Sequence, residues 1–348
     1  MLLPDQNPGG GPDDADAPPS TSRMWRSVRR RRWLAVSTIL ALGVAASIVA
    51  ALLWHSSVRA RERSSFETSA ANVSGTLDTL LRRDTDYVRS VRAVLSLQPN
   101  LSAGAISRWL SLLESRQGEP EGYGALIVKA VPAAQLSAFQ ARRNADPAFR
   151  RLVGDQLESV TATGNASYCL LAGGSANLLY SPEFARLLEG DWCDPTSFIG
   201  GYQHNGTTRA QFTQALTEGG GYGVYSISLS GVSSLIIEVA AYRQGVPLAS
   251  AAQRRAAVVG WVLGSFNIPT LMRSALGGTH NMAVTLYHEN PGLVPEFIGH
   301  TGTGAAAHGF TQDRTLQADG EWILKLTGAA TVTGPSAELQ AWVVLGVG

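Results

Sequence analysis

Between Trp33 and Trp54 the chain runs twenty-two residues without a charge, directly after Arg29, Arg30, Arg31 and Arg32. A helix of that length rises roughly 33 Å, enough to cross a hydrocarbon core of about 30 Å. Arginines clustered on one flank keep that flank cytoplasmic. The run therefore predicts a transmembrane helix over 33–54 and places the residues beyond Trp54 outside the cytoplasm, at the cell membrane. A cleaved secretory signal is the competing reading, but its apolar region spans only about 7 to 15 residues. The residues after Trp54, His55-Ser56-Ser57-Val58-Arg59, also make a poor cleavage site. At the other end, Ala341-Trp342-Val343-Val344-Leu345-Gly346-Val347-Gly348 is a second apolar run, read as a truncated second transmembrane helix starting over 337–348.

Residues 1–32 divide into a segment rich in Pro, Gly and Asp and the arginine flank. So few apolar groups cannot offset the entropy of ordering, and a disordered cytoplasmic tail is expected. Some 290 residues lie between the two apolar runs, more than one compact core usually holds, so two lobes are expected. Charged residues make up 16% of the chain and the formal net charge is +1, which argues against nucleic acid as a partner. Among the 28 basic residues only Lys129 and Lys325 are lysines, a skew that suggests a GC-rich bacterial genome. Cys169 and Cys193 both fall in the external part, where an oxidising compartment makes a disulfide between them plausible; two free buried thiols are the alternative.

Beyond the membrane run, Phe66, Ala70, Val73, Leu77, Leu80, Asp84, Tyr87, Val91 and Val94 succeed one another in alternating steps of four and three. That is heptad spacing, and it predicts a long helix with one narrow apolar stripe. The stripe can pair with its copy in a homodimer or pack along its own domain, and Asp84 would be costly in a tight parallel seam. A second helix is expected at Ala105 to Glu114, a strand at Tyr123 to Val128, and a helix carrying Leu136 and Phe139. Ser181-Pro182-Glu183 reads as a helix start with Gly190 as its stop, and Thr207 to Glu218 as a helix capped by Thr207 and ended by Gly219-Gly220-Gly221. Then the period shortens. Tyr222 to Ser230, Ser234 to Arg243 and Ala257 to Phe266 read as three adjacent antiparallel strands. A short helix over Pro269 to Ala275 precedes strands at Asn281 to His288, Glu296 to His300 and Glu321 to Leu326, with Gly302 to Gly309 as a hairpin tip. Helices feeding clustered antiparallel strands predict an α+β architecture.

Motifs of catalysis are missing from the sequence. The six histidines form no ligand pair, there is no Gly-x-Ser-x-Gly elbow, and the glycine-rich stretch lacks the lysine of a phosphate loop. No metal site, no catalytic residue and no cofactor are expected. An external domain of this kind produces a conformational change rather than a reaction, and the segment from about Phe66 to Ala275 resembles a CHASE domain, the external sensory module of bacterial histidine kinases and diguanylate cyclases and of plant cytokinin receptors. The likeness rests on Tyr123-Gly124-Ala125-Leu126-Ile127-Val128-Lys129-Ala130-Val131 followed by Phe139, on Arg209-Ala210-Gln211-Phe212-Thr213-Gln214-Ala215 followed by Gly219-Gly220, on Leu235-Ile236-Ile237-Glu238-Val239-Ala240-Ala241-Tyr242, and on Gly260-Trp261-Val262-Leu263-Gly264.

The resemblance implies a long stalk helix and two PAS-like lobes with antiparallel sheets. Residues 55–275 would form the sensor with the membrane-distal lobe, and 276–336 the membrane-proximal lobe. It also implies a small-molecule ligand in the distal lobe and an output domain, a kinase or cyclase, beyond these residues. Gln203 stands where the family often has an aspartate, Glu238 where plant receptors place a ligand-contacting threonine, and Ala240 where the family has proline. An adenine-type hormone is therefore not the expected ligand. The candidate ligand residues are Gln203, Tyr222, Tyr225, Glu238 and Tyr242. The rival classes are a membrane-anchored external enzyme, which requires acid, base and nucleophile in one pocket, and a structural or adhesion module, which requires a filled lobe.

Overall fold

The computed structural model describes residues 22–117, 123–154, 159–175, 190–197, 199–201, 203–204, 206–229, 232–279, 281–290, 295–302, 309–318 and 320–328. The expected tail, the helix after Ser181, the tip within Gly302 to Gly309 and the final apolar run lie mostly or wholly outside these residues. The described residues fall into two compact units that divide after Arg61. One helix, α1 (Ser22–Leu97), belongs to both. In the first unit most of its apolar side chains are exposed, Ile39 and Leu40 each at 70%, while Ala51 is buried. Among the described residues it is the one helix long and apolar enough to cross a membrane.

The second unit, Glu62–Val332, is mixed α and β with two antiparallel sheets. After α1 come α2 (Ala103–Gln117), β1 (Gly124–Pro132), α3 (Leu136–Ala145), α4 (Pro147–Val153) and β2 (Ser167–Gly174). A two-residue hairpin, β3 (Gln203–His204) with β4 (Thr207–Thr208), leads into α5 (Arg209–Gly219). Next are β5 (Tyr222–Leu229), β6 (Val232–Tyr242), α6 (Ala251–Ala257), β7 (Val258–Asn267) and α7 (Ile268–Leu276). These strands make a five-stranded sheet in the order β2-β1-β7-β6-β5. The remaining strands, β8 (Met282–Glu289), β9 (Glu296–Thr301), β10 (Phe310–Leu316) and β11 (Glu321–Gly328), form a second sheet in the order β10-β11-β8-β9.

The stripe on α1 is buried within its own chain. Phe66, Ala70, Val73, Leu77, Leu81, Val88, Val91 and Leu95 join Ile127, Ile237, Val239, Val262 and Phe266 of the first sheet and Val284, Leu324 and Leu326 of the second in one core. The heptad register drifts. Leu81 and Leu95 are buried where the spacing names Leu80 and Val94, which are only partly covered. A straight α-helix returns to the same side every 3.6 residues, and only a supercoiled pair holds 3.5. Packing on sheets imposes no supercoil, so the stripe follows the straight helix. Gly264 on β7 allows a close approach, since a Cβ there would overlap Val88. Asp84 lies in the stripe at 1% exposure, with Arg83 Nη2 3.1 Å from its Oδ1.

β5 is an edge of the first sheet, and the second sheet covers that edge with side chains. Asn290 donates through Nδ2 to the Val224 carbonyl at 2.6 Å and accepts from the Val224 N–H at 3.0 Å, as a neighbouring strand would. Glu296 Oε1 accepts from the Ser226 N–H at 3.2 Å. An edge satisfied in this way is closed to further strand pairing. The change of sheet falls within and just after α7, near the lobe boundary expected at 275/276, but both sheets share one core.

Candidate functional site

Strand alternation sends Ile237 and Val239 toward α1 and sends Glu238, between them, to the opposite face. That opposite face is covered by α5. The helix begins at a capping box: Thr208 Oγ1 accepts from the Gln211 N–H at 3.2 Å, and Gln211 Oε1 accepts from the Thr208 N–H at 2.9 Å. The N-cap is therefore Thr208, one residue beyond the Thr207 expected from sequence. It ends at Gly220, whose φ of 73° is the left-handed cap that glycine adopts without strain. Tyr242 Oη donates to the Thr217 carbonyl at 2.9 Å, and Arg254 Nε donates to the Glu218 carbonyl at 2.6 Å, fixing the far end of the helix.

The near end carries the chemistry. Arg209, the first residue of α5, reaches Glu238 with Nη2 2.5 Å from Oε2, and both side chains are nearly sealed from solvent, at 6% and 1% exposure. Its Nη1 also donates to Tyr225 Oη. Two aromatic rings bracket the guanidinium, Trp192 at 4.8 Å and Tyr225 at 5.1 Å from its centre. Phe212 meets Tyr225 edge to face at 5.2 Å, a contact that requires glycine at 223 because a Cβ there would overlap the Phe212 ring. Deeper under the helix, Trp261 Nε1 donates to Thr217 Oγ1 at 3.0 Å.

Trp192 is held by the chain on either side of it. Cys169 and Cys193 form a disulfide, with Cα atoms 5.4 Å apart. The Asp191 carboxylate accepts from the Cys169 N–H at 2.8 Å and the Cys193 N–H at 3.0 Å, and the Trp192 N–H donates to the Cys169 carbonyl at 2.9 Å. These bonds pin the loop to β2. Cys169, Asp191 and Cys193 lie close enough to suggest metal ligands, but the disulfide leaves no thiolate to bind one.

Burial pushes the Glu238 carboxyl above the ordinary carboxylate range, against the pull of Arg209. The guanidinium remains protonated at any ordinary pH, and it faces the Glu238 carboxyl at 2.5 Å. Burial likewise raises Asp191, against its two backbone N–H donors.

Of the five candidates read from sequence, Tyr225 and Glu238 meet in this cluster. Gln203 pairs in register with Thr208, beside the start of α5, and is exposed. Tyr242 stands at the far end of α5 on the same face. Tyr222 departs from the group: it lies on the other side of β5, its ring 6.1 Å from that of His288 in the second sheet. Glu238 is among the most buried charged groups. Arg209 and Trp192 are not among the five. Arg209 stands inside a helix segment that carries the CHASE resemblance, but an arginine after a cap looks the same in sequence whether it is exposed or paired.

A second feature lies apart from this cluster. Thr79, Arg82, Arg83, Asp86, Tyr87, Ser90 and Leu113 line an open cleft of about 430 Å³ between α1 and α2. Its cations are already matched, Arg82 to Asp78 at 2.8 Å and Arg83 to Asp84 at 3.1 Å. Beneath it, Tyr87 Oη donates to Glu114 Oε1 at 3.0 Å, and Ser175 Oγ donates to the same oxygen. Burial raises the Glu114 carboxyl, in opposition to those two hydroxyl donors. No protein-family model matches the chain, and no curated protein matches its sequence.

Proposed function

We propose that the chain is a membrane-anchored, extracytoplasmic sensor domain of CHASE type. It binds a small molecule on the α5 face of the five-stranded sheet and passes the signal along α1 to an output domain on the cytoplasmic side. One observation carries this reading: β6 packs Ile237 and Val239 against α1 while presenting Glu238 to the buried charged cluster on its other face. Any compound that binds one arrangement of Arg209, Tyr225 and Glu238 more tightly than another shifts the sheet that α1 rests on, by its differential affinity. Counted within their own sheet, the strands run second, first, fifth, fourth, third, with helices inserted between the second and third, which supports a PAS-like lobe. α1 supports the anchor, and the arginines before Trp33 support the cytoplasmic side for the N-terminus.

The test is a thermal-shift screen of the full chain in lipid nanodiscs against nucleobases, amino acids and short organic acids. At least one compound is expected to stabilise the wild type and to leave Glu238→Gln unstabilised. If nothing in the screen shifts the transition, the sensor reading is lost and the structural-module alternative gains. A protease-protection assay on intact cells checks the topology, with residues after Trp54 expected to be accessible from outside.

A further inference from the structure

We infer that Cys169, Cys193 and Asp191 form a redox-gated site for a thiophilic divalent cation of the zinc class, closed while the disulfide stands and opened by its reduction. The two sulfur atoms and a carboxylate oxygen of Asp191 all lie within 4.8 Å of one another. Three protein ligands converging in this way, with water as the fourth, make a four-coordinate zinc site.

The carboxylate is only half used by the protein itself. Asp191 is 3% exposed, and its Oδ1 accepts from both the Cys169 and the Cys193 N–H. Its Oδ2 is buried and, among the described residues, has no hydrogen-bond partner. A buried polar atom left in this state is uncommon and calls for an explanation. Burial raises the Asp191 carboxyl, Asp194 adds to that, and the groups that oppose them are backbone N–H donors rather than a cation. A disulfide offers Oδ2 neither a proton nor a charge. A cation held by two thiolates supplies the missing partner, while the two N–H donors keep the carboxylate oriented, as hydrogen bonds to metal-binding carboxylates do.

Opening the site takes a dithiol reductant. One of its thiolates attacks the sulfur of Cys193, the less buried of the pair; the S–S bond breaks, and Cys169 leaves as a thiolate that takes up a proton. The second thiol of the reductant resolves the mixed disulfide, so two electrons and two protons pass to the protein and the reductant departs as its own disulfide. Zinc then displaces one proton from each cysteine to solvent. It forms two Zn–S bonds of about 2.3 Å and one Zn–O bond of about 2.0 to 2.2 Å. Two thiolates select such an ion over magnesium or calcium, which take oxygen ligands. The ion ties together the residues that the disulfide ties, and so keeps Trp192 over Arg209 under reducing conditions.

Cobalt(II), which replaces zinc and reports thiolate ligation by colour, is the probe. The full chain, untagged and in nanodiscs, is titrated before and after reduction by a phosphine that is then removed under nitrogen. The reduced chain should bind one cobalt with a sulfur-to-cobalt charge-transfer band in the near ultraviolet, displaced by an equal amount of zinc, and the oxidised chain should show no such band. Asp191→Asn, whose side-chain oxygen still accepts from the two N–H groups, should bind about 10- to 100-fold more weakly. Should reduction loosen the fold, zinc should restore the near-ultraviolet circular dichroism of the wild type. A reduced chain without the band overturns the inference, as does a reduced, unfolded chain that zinc leaves unfolded. Equal affinity in Asp191→Asn, or equal binding by the oxidised chain, overturns it too.

Discussion

The two faces of the five-stranded sheet are built for different ends. Toward α1 the sheet offers the apolar side chains Ile127, Ile237, Val239, Val262 and Phe266, with Val88 over Gly264, and the charge buried on that side, Asp84, belongs to α1 itself and is matched by its neighbour Arg83. Toward α5 it offers Ile236, Ala240, Trp261 and Leu263, but the same row holds Glu238 and receives Arg209. The first face gains stability from apolar area removed from water and from close packing. The second spends part of that gain on desolvating two charges whose mutual attraction seldom does more than balance the loss. A buried pair that contributes little to stability needs another role, and recognition is the one its geometry suits.

The largest effect separates the two faces directly. Removing one charge, as in Glu238→Ala, should destabilise the fold by about 3 to 5 kcal/mol by stranding Arg209, whereas Arg209→Met with Glu238→Leu should be close to neutral or stabilising. Urea denaturation of the three proteins checks this, and a double variant as unstable as the single would show that the pair is structural after all. On the α1 face no such recovery exists. Leu81→Ala should cost about 2 to 5 kcal/mol as a cavity, and Leu80→Ala clearly less, since Leu81 and not Leu80 is sealed in the core. Equal costs would restore the heptad register.

The junction between the sheets should respond to acid. His288 is 2% exposed, packed against Trp322 at 4.6 Å and facing Tyr222 and Glu296, and among the described residues its ring nitrogens have no hydrogen-bond partner. Burial lowers its pKa to about 4, against the pull of Glu296. Between pH 6.5 and 4 the unfolded chain thus binds a proton at this site that the folded chain does not. Stability should fall as pH drops through that window, by about 3 kcal/mol in total. His288→Phe should flatten this limb of the pH profile; an unchanged slope would assign the acid sensitivity elsewhere. The smallest effect is at the helix start, where Thr208→Ala should cost about 1 kcal/mol through loss of the capping box, read by thermal melting.

The sequence is most legible where one period rules a segment. The three strands β5, β6 and β7, the start of α5 and the membrane-length run of α1 all show it. It is least legible where tertiary context overrides local signal. β2, Ser167–Gly174, carries two glycines and no β-branched residue, and β10, Phe310–Leu316, is an edge strand of mostly polar residues. Neither announces a strand. α6 is only seven residues long, too short to set up a period. For the site, alternation about Ile237 and Val239 could place Glu238 on one face of β6, but only the fold brings Arg209 and Trp192 across the sheet to meet it. The same limit applies to the stripe on α1, where steps of four and three differ from a 3.6 repeat by only about 0.4 residue over two heptads.

The claim that one sheet joins the charged cluster to α1 is tested most directly by hydrogen exchange along residues 81–95 of α1. The measurement uses the full chain in nanodiscs, with and without the compound that gives the largest thermal shift. Coupling through β6 and β7 predicts altered protection in that stretch together with α5, and no response in Glu238→Gln. Protection that changes around α5 and β5 while 81–95 stays as it was would contradict it.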